Sequence, residues 1–133
     1  MLTCLALVAF NVTALGDIPK MSTDLEAEAH ALAVVSAATP ELISRIEAFA
    51  TDAQQLSVSM RRAGVGQDMP CIFQGIANDA LERAGEFAAA DTSEEQDAAF
   101  MNLRVLMDDT AMLAPLAAAA AADRAEERDL ALR

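Results

Sequence analysis

TPELISRIEAFATDAQQLSVSMRRAG, residues 39–64, is the stretch from which the fold can be read. Leu42, Ile43, Ile46, Phe49, Ala50, Ala53, Leu56 and Met60 recur at three- and four-residue spacing, so they line one face of an α-helix. Glu47, Asp52 and Gln55 fall off that face. Thr39 has the residue type of a helix N-cap, and Pro40 suits the first helical position, where a missing N–H costs nothing. Arg61 and Arg62 sit at the negative end of the helix dipole, and Gly64 can stop the helix in the left-handed conformation. A helix with one continuous apolar face needs partners of the same kind.

They occur on both sides. Upstream, Thr23-Asp24-Leu25-Glu26 has capping-box spacing, and Leu25, Ala29, Leu32 and Ser36 share a face. Pro40 then disfavours helical geometry at Thr39. Downstream, Asp68 can cap a third helix with Pro70 in its first turn. Met69, Ile72, Phe73, Ile76, Ala80, Leu81, Ala84 and Phe87 are expected to face inward. Thr92 and Ser93 cap a fourth helix whose first turn holds Glu94, Glu95 and Asp97, placed well for the dipole. The expected fold is all-α, a small antiparallel four-helix bundle with helices near 22–38, 41–62, 69–90 and 94–113. Ile46, Phe49, Phe73, Ile76, Phe87, Phe100 and Leu103 are its expected core. Pro115 should kink or break the fourth helix. An alanine run, Ala117–Ala122, resumes it on helix propensity alone, ahead of a charged, frayed tail at about 123–133.

The fourth helix carries two apolar stripes. Phe100, Leu103, Leu106, Met107 and Thr110 make the expected core face, while Met101, Val105, Met112 and Leu116 lie roughly opposite by the 100° helical step. Such a helix is either central to its own fold, covered by the carboxy-terminal segment, or it meets a partner.

Ahead of this domain, Met1–Gly16 is uncharged and mostly apolar, with a core Leu5-Ala6-Leu7-Val8-Ala9-Phe10. It is shorter than the ~20 residues of a membrane span. Val12/Ala14 and Ala14/Gly16 offer the small residues that signal peptidase cuts behind. The segment is therefore read as a signal peptide, residues 1–16. One acidic helical domain follows, residues 17–133, exported to the periplasm or secreted. No stable membrane span is expected after cleavage. A buried first helix of the domain is the competing reading, and it would make the protein a cytoplasmic regulator.

The chain holds 21 acidic and 9 basic residues, a net charge of −12. Lys20 is its only lysine, and Arg61-Arg62 its densest basic pair. Binding to nucleic acid rests on cations that neutralise phosphates, so a nucleic-acid partner is excluded. The absence of Trp and Tyr removes the usual stacking platforms as well.

Little chemistry remains. His30 is the only histidine, one turn after Glu26; zinc or di-iron centres need three or more converging ligands, so no metal site and no cofactor are expected. The pairs Glu94-Glu95, Asp108-Asp109 and Glu126-Glu127 diverge around their helices and lack calcium-loop spacing. If Cys4 leaves with the signal, Cys71 is the remaining thiol, placed near a helix N-terminus and off the core stripe. It is then a candidate reactive or intermolecular thiol. The expectation for function is a small protein that works by protein–protein interaction, through the surface Met101, Val105, Met112 and Leu116, with an unknown protein or with a second copy. No catalysis is inferred. The alternative is an enzyme or ligand carrier with a pocket built from scattered residues, Cys71, His30 and the methionines Met60, Met69, Met107 and Met112.

Overall fold

The computed structural model describes residues 14–66 and 68–133, with the backbone alone for 14–16. Four helices follow one another, α1 (Ala14–Ala33), α2 (Pro40–Arg62), α3 (Asp68–Ala89) and α4 (Ser93–Ala131). They form an up-down-up-down bundle in which α1 lies mainly along α4 and α2 along α3, with α1·α2 and α3·α4 closing the square. The all-helical four-helix bundle is the fold that the patterning predicts.

The central hairpin matches the sequence residue by residue. Thr39 is the N-cap of α2, its hydroxyl accepting from the Leu42 N–H at 3.2 Å, with Pro40 in the first turn. At the other end Gly64 takes φ 72°, which a β-carbon would disfavour. The Gly64 N–H donates to the Arg61 carbonyl and the Val65 N–H to the Met60 carbonyl, both at 3.0 Å. Those two bonds are the Schellman pattern, and the buried Val65 supplies its apolar contact. Ser57 ties the hairpin further: wholly buried, it donates to the Pro70 carbonyl at 2.6 Å. The buried hydroxyls of Ser22 and Thr110 donate to carbonyls one turn back, so these interior polar groups are satisfied.

Ile46, Phe49, Phe73, Ile76, Phe87 and Leu103 are buried, as expected. Phe100 is half-buried and meets Phe87 edge-on, ring centroids 4.8 Å apart. Ile72 and Leu81, expected inside, are 37 % and 54 % exposed. They sit roughly 100° and 80° to either side of Phe73, beyond the arc that two neighbours and the core cover.

The other corrections concern helix ends. α1 already runs at Ala14 and passes through Pro19, so Thr23 is not a cap; its hydroxyl donates to the Pro19 carbonyl within the helix. The helix stops at Ala33 and not near residue 38, where the β-branched pair Val34-Val35 opens the connection to α2. Pro115 does not break α4, which continues to Ala131 and is capped at Leu132. Proline removes one backbone bond, but Ala114, Ala117 and Ala121 are buried on either side of it, and that packing holds the helix through. The segment 123–131, expected to fray, is helical, with an Arg124–Glu127 ion pair at 3.2 Å. The proposed leader lies almost wholly outside the described residues; only its last three, 14–16, enter α1.

Candidate functional site

The alanines explain how α4 is seated. Ala114, Ala117 and Ala121 present a nearly smooth inner face, which lets α1 approach closely through Ile18, Ser22, Leu25 and Ala29, all buried. Arg104 fixes the other end of this antiparallel pair, its Nε donating to the Ala33 carbonyl at 3.4 Å. At the start of α4 the capping box is complete: the Thr92 hydroxyl accepts from the Glu95 N–H, and the Glu95 carboxylate accepts from the Thr92 and Asp91 N–H groups. Those backbone donors hold the Glu95 carboxyl below the usual carboxylate range.

With α4 anchored by that inner face, four of its larger apolar residues point outward. Met101, Val105, Met112 and Leu116 are between 53 % and 68 % exposed. The carboxy-terminal segment continues α4 and does not fold back over them. Of the two readings of the double stripe, the central covered helix is therefore wrong. Along residues 114–121 residue size fits this arrangement, alanine filling the narrow seam with α1 while the larger Leu116 lies outside; nearer its start the inner face of α4 holds Leu103 and Met107. Asp108 and Asp109 are exposed midway along the stripe; Glu94 and Asp97 lie exposed before it and Asp123 after it. α4 is also the one described helix long and apolar enough to cross a membrane by length and composition. Leu103, Met107 and Thr110, on its opposite side, belong to the bundle core.

The remaining candidates do not converge. Cys71 is half-buried and disulfide-bonded, so it is not the exposed free thiol expected of it. That expectation rested on losing Cys4, whereas the full chain has two cysteines; Cys4 lies outside the described residues. His30 Nε2 is 3.8 Å from Glu26 on the exposed face of α1. Met60 and Met107 are wholly buried, Met69 packs against the core edge, and Met112 is exposed. No group of three His, Cys, Asp or Glu side chains that could hold a metal ion occurs among the described residues.

Two grooves run along the α1–α2 seam, and none of these candidates lines either. One of about 480 Å3 is bordered by Met21, Gln55, Val58 and Arg62, the other of about 180 Å3 by Met21, Asp24, Leu25, Asp52 and Gln55. Nothing in the sequence signalled the second, because Asp24 and Asp52 stand on different helices. Partial burial, then the nearby Glu28 and Asp24 charges, push the Asp52 carboxyl above its ordinary range. Asp24 pairs with Lys20, and Glu28 with Arg45 at 2.8 Å. These partners spend the acidic groups on exposed ion pairs and leave no arranged acid–base couple.

No protein family, curated protein or solved structure matches this chain.

Proposed function

We propose that this chain is a small exported helical protein that acts by docking another protein on the outer face of α4, without chemistry of its own. The observation that carries the reading is the exposure of Met101, Val105, Met112 and Leu116 on a helix already anchored by its opposite face. Bundles need one apolar face per helix; a second one is unexplained by folding and fits a binding surface. Export rests on the leader pattern of residues 1–16. Cleavage after Gly16 would leave Asp17 as a natural cap and Pro19 in the first turn of a shortened α1. Cleavage would leave Cys71 as the only cysteine of the mature chain.

The deciding experiment is expression in the native host with a carboxy-terminal tag, followed by fractionation and intact-mass measurement with and without reductant. An envelope or secreted protein lighter by residues 1–14 or 1–16 is the expected result. Full-length chain recovered from the cytoplasm overturns export and favours the cytoplasmic regulator. Docking is read in parallel: a partner retained by the wild type and lost from Val105→Glu is expected, and identical retention by both sinks the α4 surface.

A further inference from the structure

The outer face of α4 has a charge pattern that narrows its occupant. Two apolar pairs, Met101/Val105 and Met112/Leu116, each spaced by four residues, flank an acidic waist at Asp108 and Asp109. All six side chains are exposed. From Met101 to Leu116 the stripe is ~22 Å long, the reach of four helical turns. Acidic residues also stand beyond both ends, and the one basic residue beside the waist, Arg104, has its Nε turned to the Ala33 carbonyl.

We propose, resting on the docking reading above, that this face receives an amphipathic partner helix whose apolar stripe is interrupted by lysine or arginine opposite Asp108 and Asp109. A helix laid into an apolar face reads anchors at turn spacing, and here it must also answer a row of carboxylates. A second copy of this chain fits the apolar spacing, because the stripe reads the same from either end about the Asp108–Asp109 midpoint. Its two-fold centre would nevertheless bring four aspartates together while removing them from water, with no cation between them. Like charges so placed are costly, and the −12 net charge adds to the repulsion. A cationic partner turns the same waist into a set of paired charges.

Fluorescence anisotropy on the full-length chain tests this with three labelled synthetic helices of about 18 residues, long enough to span the stripe. They share one leucine stripe and carry lysine, glutamine or glutamate elsewhere. The lysine helix is expected to bind, and the other two much more weakly. Val105→Asn with Met112→Gln should weaken it roughly tenfold or more, as loss of central apolar anchors does; neutral replacements keep the charge constant. Asp108→Asn with Asp109→Asn should also weaken binding and flatten its dependence on salt, since screening acts on those charges. Leu81→Asn, at an exposed apolar site on α3, should change nothing. Circular dichroism of each variant confirms that helix content is retained.

Equal binding of the glutamine or glutamate helix overturns the cationic partner and leaves docking on α4 standing. So does a dimer in sedimentation velocity that Val105→Asn with Met112→Gln dissolves, which would make a second copy the occupant. Failure of every helix to bind, or binding indifferent to the α4 substitutions, overturns the proposal; with no α4-dependent partner or dimer, the docking reading falls too.

Discussion

α2 and α4 are neighbours in chain order only through α3, and they encode their positions in opposite ways. α2 has one apolar face, a capping threonine, a proline in its first turn and a left-handed glycine after its last. Every one of those signals is local, so it survives translation into the folded chain. α4 carries a second apolar stripe, and along its second half the large Met112 and Leu116 lie exposed while Ala114, Ala117 and Ala121 are buried. Hydrophobicity alone would assign the faces of α4 the wrong way round along its second half. Along that half, burial follows steric fit to α1, where alanine allows close approach, and not how apolar each side chain is.

The strongest way to break the contrast is at Phe49, wholly buried on the unambiguous face of α2. Phe49→Ala is expected to cost ~3–5 kcal/mol, the transfer of a ring plus the cavity it leaves. Denaturant melts at unchanged slope give the number. A loss below about 1 kcal/mol would mean that even the plainest helix register has been misjudged.

Adjacent residues on α4 sharpen it. Ala117 is wholly buried against α1 and Leu116 is 53 % exposed. Ala117→Leu should destabilise by ~1–3 kcal/mol through overpacking, although it adds a more hydrophobic side chain. Leu116→Gln should stay within about 0.5 kcal/mol, as surface changes do. Reversal of that order in paired melts would show that hydrophobicity, and not fit, seats α4.

The smallest effect is electrostatic and lies on α2 itself, away from its core face. Asp52 has a folded-state pKa above its ordinary value, caused first by burial and then by Glu28 and Asp24. Its ionised form is therefore a liability in the folded state, present at neutral pH and relieved as pH falls. Asp52→Asn should raise the melting midpoint at about pH 7 and lose that advantage by about pH 3. Glu95 runs the other way: its carboxylate is held ionised by the Asp91 and Thr92 N–H groups, so its contribution is present above the ordinary carboxylate pKa and fades on acidification. An Asp52→Asn gain that grows at low pH would contradict the stated cause of the shift.

Much of the bundle was legible because its cues are short-range. The caps at Thr39 and Thr92, the glycine stop and the core stripes of α2 and α3 depend on residues within a turn or two of each other. The second apolar stripe was equally legible, and its exposure was the open question. Pro115 was read as a kink or break because proline's local cost of one backbone bond is visible in sequence, whereas the packing that carries the helix through it is not. Cys71 stands apart: its reading as a lone thiol presumes the loss of Cys4, and in the full chain it is disulfide-bonded.

Composition and patterning alone determined that this chain is helical and acidic, since those follow from residue type and periodicity. Only the tertiary structure decided that the outer stripe of α4 stays uncovered, that the alanine run is a packing surface, and that Asp24 and Asp52 share a groove. Each of these depends on how closely two helices distant in sequence approach. Interhelical distance is set by side-chain volume on both partners at once, a quantity that no single stretch of sequence contains.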